Sequence, residues 1–112
     1  LTPNNLDGGS DALKSIIPPG FAAGDNRAHL IAGMLGGSGK DPLNLVAFNW
    51  KANQVVMRGF EFEVRAAVRA GEAVRYTAVP IYAGSALRPS AITLTAEGNF
   101  GFSLGVSVLN IP

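Results

Sequence analysis

The chain holds one histidine, His29, set in DNRAHLIAGMLGGSG between Arg27 and an apolar run. An imidazole can take up or release a proton near neutral pH, so His29 is either a packed structural residue or the group on which chemistry depends. Further along, Asn53, Met57 and Glu61 recur at i, i+4 and i+8. On a helix that spacing places an amide and a carboxylate on one line, turn above turn. If a hairpin ahead of the helix packs on this line, His29 stands opposite Asn53, with Arg27 two residues away on the same side of its strand. A neutral base, an oxygen ligand and a guanidinium around one point are the parts that phosphodiester hydrolysis requires. The base deprotonates water, a divalent cation takes the developing charge and the guanidinium holds the phosphate. Magnesium suits such oxygen donors because it keeps most of its waters and accepts few protein ligands.

Each residue also has a plainer reading. Glu61 could pair with Arg58 or Arg65 at helical spacing, Asn53 could simply be solvated, and Met57 is a core residue. Arg58, Arg65 and Arg69 form either a phosphate-facing strip or a solvated helix edge, and the solvated edge is favoured. GGSGK resembles a phosphate-binding loop only superficially: Met34 stands where its first glycine belongs, and Asp41 follows Lys40 where a hydroxyl residue is needed.

The elements that must position these groups are read from turns and periodicity. Residues 1–24 are dense in proline and glycine and should form an extended arm or an edge strand. AHLIAGML reads as a buried strand running into a glycine-rich loop, with a short helix the alternative that its periodicity leaves open, and DPLNLVAFN as a turn followed by a strand over Leu43 to Phe48, the two making a hairpin. Asn49 is a good N-cap and Gly71 a natural stop, so the intervening residues should be one long helix. Val56, Phe60, Val64 and Ala67 fall on one stripe of it, and Val55, Phe62 and Ala66 on another, which implies cover on two sides. EAVRYTAVPIYAG, RPSAITLTAEG and FGFSLGVSVLNIP read as three antiparallel strands. The expected fold is therefore α+β in a single domain: arm 1–24, hairpin and helix 25–70, strands 71–112.

At 112 residues there is room for one core. Hydrophobic residues at 47% and charged residues at 15% describe a folding domain, not a disordered one. Nine Lys+Arg against eight Asp+Glu leave a net charge of +1, so no global electrostatic attraction to nucleic acid or membrane exists and any basic surface is local. The absence of cysteine, with one histidine, removes disulfides and every Cys/His zinc framework. No apolar run approaches the ~20 residues of a membrane helix.

RAHLIAGMLGG, then NLV, then Asn53, Met57 and Glu61 along a helix resemble the DNA/RNA non-specific endonuclease family, whose fold is the ββα-metal, or His-Me finger, type. The likeness covers roughly residues 18–98, and EAVRYTAVPIYAG followed by RPSAI is similar to bacterial toxin versions of the family. Two motif positions depart: Asn26 stands where the family usually has aspartate, and Ala28 where it has glycine. The resemblance implies that His29 is the general base, Asn53 the only direct protein ligand of a hydrated Mg²⁺ (Mn²⁺ substituting) and Glu61 the carboxylate that orders metal-bound water. It makes Asn44 a further active-site asparagine and Arg27 the motif arginine. Arg27 and Arg58 are the candidates for binding substrate.

These expectations describe a Mg²⁺-dependent, sequence-nonspecific endonuclease that cleaves DNA, RNA or both. Because the chain begins at Leu1 without an initiator methionine, it reads as a piece of a larger polypeptide. By analogy it is the effector domain of a secreted or contact-delivered bacterial protein, acting in the target-cell cytoplasm and held in check by a cognate immunity protein. Two alternatives stay open: a metal-independent RNase toxin in which His29 works with arginines, and a non-catalytic interaction domain.

Overall fold

The computed structural model describes residues 1–112. Strands β1 (Asp25–His29) and β2 (Leu45–Asn49) form an antiparallel pair with Asp25 opposite Asn49 and His29 opposite Leu45. A continuous helical segment then begins at Trp50, passes through a π-helical turn at Ala52–Met57 and continues as α1 (Arg58–Arg69). Strands β3 (Val74–Ile81), β4 (Ala91–Gly98) and β5 (Ser103–Leu109) make a second antiparallel sheet in the order β3-β4-β5. This is the α+β architecture expected from the sequence, with a hairpin and one long helix ahead of an antiparallel sheet.

Local chemistry accounts for the helix limits. The Asn49 side-chain oxygen accepts from the backbone N–H groups of Lys51 (3.0 Å) and Ala52 (3.3 Å), satisfying two donors of the first turn. At the other end Gly71 takes φ +112°, its N–H bonds Val68 O and the N–H of Glu72 bonds Ala67 O. That is the glycine-dependent stop that residues with a Cβ make poorly.

Three expectations need correction. The first strand starts earlier than AHLIAGML suggests and stops at His29. Residues 30–44 form a loop with 3-10 turns at Gly33–Leu35 and Pro42–Asn44: the Leu30 N–H makes the last bond to the opposite backbone, at Asn44 O, and the Asn44 side chain then takes both backbone groups of Ile31. The helix is also not covered on two sides: Val55, Val56 and Phe62 are exposed, and the buried line runs Ala52, Met57, Phe60, Val64, Val68. The five-residue step from Ala52 to Met57 is the width of a π turn, which rotates the apolar face out of the 3.6-residue phase assumed for a regular helix. Third, the second strand starts at Leu45 and not at Leu43, which lies in the 3-10 turn before it; of the two forms expected for residues 1–24, the extended arm is the one found, with one 3-10 turn at Pro3–Asn5.

The core joins that helical line to Ala28 of β1, Val46 and Phe48 of β2, and Ile92, Leu94 and Ala96 of β4. The alternation expected at Ile92, Leu94 and Ala96 thus points inward as read. All five residues of β2 are buried, so the hairpin is fixed from both faces. Asn110 ties the C-terminal end to it. Its amide donates to Ala47 O (3.0 Å) and Pro89 O (2.6 Å), and its Oδ1 accepts from Asn49 N (2.6 Å) and Arg88 (2.9 Å). Every hydrogen-bonding position of that buried amide is filled, the condition for burying it without penalty.

Candidate nuclease active site

A cleft of about 250 Å³ opens between the end of β1, the loop after it and the helix. Its polar side chains are Asp11, His29, Asn53, Gln54, Arg58 and Glu61. The fold therefore brings together His29, Asn53, Glu61 and Arg58. Met57, on the same sequence line, lies fully buried beneath them.

His29 ends β1, and its Nε2 lies 2.8 Å from the backbone oxygen of Ser10. A carbonyl oxygen can only accept, so in the neutral ring Nε2 carries the hydrogen and Nδ1 keeps the lone pair. Asn53 is oriented in a comparable way. Its Nδ2 donates to Asn26 Oδ1 at 3.1 Å, beside a second donor, Gln54 Nε2, at 3.1 Å. With the amino group engaged, Asn53 Oδ1 is the half of the amide that no protein donor approaches. Asn26 thus keeps the acceptor function of the aspartate usual at this motif position and lacks its charge.

Glu61 is 6% exposed and makes no hydrogen bond to protein. Burial pushes its carboxyl up to about 7, while the Arg58 charge pulls in the opposite direction. Behind it the hydroxyl of Tyr76 is buried without a partner, and burial and the Glu61 charge push the phenol up. Arg58 is exposed along the helix, with Nη1 3.4 Å from Gln54 Oε1 and its guanidinium carbon 5.5 Å from the Phe62 ring centre.

Two expected site residues have other neighbourhoods. Arg27 shares the face of His29, as the strand periodicity requires, but it faces the arm rather than the cleft. Its Nε donates to Ile16 O (2.7 Å), its Nη2 to Lys14 O (3.0 Å), and it stacks over Phe21 at 5.0 Å. Asn44 braces the loop behind the cleft, donating to Ile31 O (3.0 Å) and Ser38 O (3.0 Å) while accepting from Ile31 N (2.9 Å). Conversely, Asp11 and the Ser10 carbonyl were not foreseen. Nothing in the spacing of an irregular arm announces where it will dock, and a backbone oxygen carries no sequence signature.

The donor set decides what ion could be held. No cluster of three or more His, Cys, Asp or Glu side chains is assembled, so a cage built wholly from charged protein ligands does not form. An unpartnered amide oxygen on Asn53 and a carboxylate on Glu61 free of protein hydrogen bonds, both lining one cleft, fit a hydrated divalent cation that keeps most of its waters. The remaining parts, a proton acceptor on His29 and a cationic Arg58, suit hydrolysis of a phosphodiester.

Comparison with known proteins agrees. Residues 10–99 match the family model described as DNA/RNA non-specific endonuclease. Among solved structures the chain is similar to Sda1 nuclease with bound zinc ion, at 30% identity and a TM-score of 0.73, over 79% of this chain and 40% of that one. The chain thus spans well under half the length of that nuclease. No curated protein matches. The hairpin and helix are the ββα-metal arrangement that the sequence resemblance implied, and the chain belongs to the DNA/RNA non-specific endonuclease family.

Proposed function

We propose that this domain is a Mg²⁺-dependent endonuclease that hydrolyses DNA, RNA or both without regard to sequence. The observation that carries the reading is the convergence of His29, Asn53, Arg58 and Glu61 on one cleft, with the imidazole and the amide each oriented by a single backbone or side-chain acceptor. His29 Nδ1 takes a proton from the water that attacks phosphorus. Arg58 holds a non-bridging phosphate oxygen. Asn53 Oδ1 would hold a divalent cation and Glu61 would order its waters, and such an ion would supply stabilisation of the charge that develops on the phosphate. The P–O3′ bond breaks, leaving a 5′ phosphate and a 3′ oxygen that is protonated from solvent in the open cleft.

The zinc in the similar nuclease supports a divalent-cation site in this family. The choice of magnesium rests on the oxygen-only character of the donors here. We assign Arg27 to the arm and Asn44 to the loop rather than to substrate. The wider role proposed is that of a bacterial effector domain that acts in a target cell and is neutralised by an immunity protein, supported by the likeness of the strands after the helix to toxin versions of the family.

The test is incubation with plasmid DNA and with total RNA, with Mg²⁺, with EDTA, and with EDTA followed by excess Mg²⁺. Cleavage that EDTA abolishes and Mg²⁺ restores is expected. Cleavage of RNA alone, insensitive to EDTA, would establish a metal-independent ribonuclease instead.

A further inference from the structure

The arm from Asp7 to Ile16 crosses the back of the cleft and is held at both ends. At one end the Asp7 carboxylate receives Arg65 Nη2 at 2.8 Å on each oxygen and Arg69 Nη2 at 3.4 Å. Asp7 adopts φ +59°, a left-handed conformation that aspartate tolerates better than most residues, and this bend accompanies the reach toward α1. At the other end Arg27 binds the carbonyls of Lys14 and Ile16. Between these anchors the arm is zipped to the glycine-rich loop: Asp7 N to Met34 O (2.9 Å), Gly9 N to Gly33 O (3.1 Å), Ser10 N to Gly37 O (3.2 Å), Gly39 N to Ser10 Oγ (2.8 Å) and Leu13 N to Gly39 O (2.9 Å). The two backbones lie so close that a Cβ on Gly9 would run into Gly37 O and the Gly33 backbone. Within this clasp the carbonyl of Ser10 lies against His29 Nε2, and the next residue, Asp11, lines the cleft.

We propose that the arm is a positioning device for the base, in which Ser10, held in place by the Asp7 and Arg27 anchors, keeps His29 in its Nε2–H form with Nδ1 free to accept a proton. The proposal rests on the reading of His29 as general base. It gives the motif arginine a purpose other than phosphate binding, since Arg27 shares the strand face of His29 and fixes the same arm. It also explains why glycines follow the histidine: the loop must let another backbone lie directly on it. A neutral imidazole in the wrong tautomer offers the reacting water a donor where an acceptor is needed, so loss of the clasp slows the chemical step and leaves phosphate binding at Arg58 intact.

Because a backbone carbonyl cannot be deleted by substitution, the test lifts the arm. Gly9→Ala forces the close contact apart, and Asp7→Asn loosens the exposed clamp without touching the core. Long-range ¹H–¹⁵N correlation of the ring reports the tautomer directly, alongside kcat and KM on plasmid with Mg²⁺ and a melting curve for each variant. The wild-type ring should show the Nε2–H pattern. Gly9→Ala should show both tautomers, with kcat lower by about tenfold or more and KM within about twofold. If Gly9→Ala does not fold, Asp7→Asn decides the question by the same readouts, with a smaller fall in kcat. A wild-type ring protonated on Nδ1, or a folded variant with displaced arm contacts that keeps the wild-type tautomer and kcat, would overturn the proposal. Full activity in His29→Ala would overturn the base reading itself, and the two failures are distinguishable because the wild-type ring spectrum does not depend on activity.

Discussion

Asn26 on β1 and Asn53 on the helix, twenty-seven residues apart, meet through their side chains at 3.1 Å, and the contact aims the Asn53 oxygen away from protein. An aspartate at position 26 would accept the same hydrogen bond and add a negative charge beside the proposed cation. Asn26→Asp should therefore lower the Mg²⁺ concentration for half-activation by roughly three- to tenfold, the effect of ~1 kcal/mol from a partly solvated charge. Asn26→Leu, which removes the acceptor, should raise that concentration and reduce activity. Mg²⁺ titrations identical to wild type in both variants would show that Asn26 does not set the Asn53 amide.

Removal of the base should cost activity and not structure. His29→Ala should lose about 10²-fold or more in rate, the scale of a general base, while its melting curve stays close to wild type. Wild-type rates from folded His29→Ala would remove the residue from the mechanism.

Glu61 makes opposite contributions to stability and to activity. Its carboxyl is raised to about 7 in the folded protein by burial, so folding favours the protonated form. Stability from this group is complete below the unfolded value near 4.5 and is lost as pH rises through about 7. Metal-free Glu61→Gln should therefore melt roughly 5 °C or more above wild type at pH 8 and close to it at pH 4. Its nuclease activity should nevertheless fall by about 10- to 100-fold, as for a group that orders metal-bound water. Equal melting temperatures at both pH values would mean that the carboxylate is solvated.

The sequence made some of this legible and hid the rest for physical reasons. The helix ends were readable because Asn49 and Gly71 act on their nearest neighbours, and β3 to β5 because side-chain alternation is local. That His29, Asn53 and Glu61 line one cleft was readable because two regular elements carry them. The buried face of the helix was misjudged because a π turn leaves no mark in composition, so Val56 was read on the buried stripe, although Met57 was rightly read as core. The first strand was misplaced because LIAGML is apolar enough for a strand, yet the Asn44 side chain claims its backbone. The arm contacts at Ser10, Lys14 and Ile16 run through carbonyl oxygens, which every residue possesses. The partnership of Asp25, Arg88 and Asn110 joins segments more than sixty residues apart and has no short-range trace.

That partnership anchors β1 at the end opposite His29. Arg88 forks onto Asp25 at 2.7 and 2.9 Å, with the Asp25 side chain 1% exposed. The hydrogen bonds from Arg88 hold the Asp25 carboxyl below its ordinary range. A lowered value in the folded state means that the pair stabilises above the unfolded value near 3.8 and that this contribution fades as pH falls. Arg88→Met should cost roughly 2 kcal/mol at pH 7, less than a fully buried pair because Arg88 is a third exposed. The deficit should shrink toward pH 3, where Asp25 is protonated in the unfolded chain. A deficit independent of pH would assign the loss to packing.

Base readout in a duplex needs an element that fits a groove and carries donors and acceptors toward base edges. The exposed side of the helix carries Val55, Val56, Gly59 and Phe62, which have none to offer, and the carboxylate of Glu63 among them repels a phosphate backbone. Recognition should then run through phosphates at Arg58, beside the cleft, and the net charge of +1 leaves few further cations to join it. The dependence of KM on salt should be shallow, a log–log slope of about 1 to 2 in magnitude, since each neutralised phosphate contributes about 0.9. Arg58→Ala should raise KM by similar factors on every sequence and reduce that slope by about 1, with kcat less affected. End mapping on a mixed-sequence duplex and on RNA of matched sequence should give scattered cuts bearing 5′ phosphates. Cuts confined to one sequence or one RNA loop would require a recognition surface outside the cleft, and an Arg58→Ala defect that varied with sequence would place that surface at Arg58 itself.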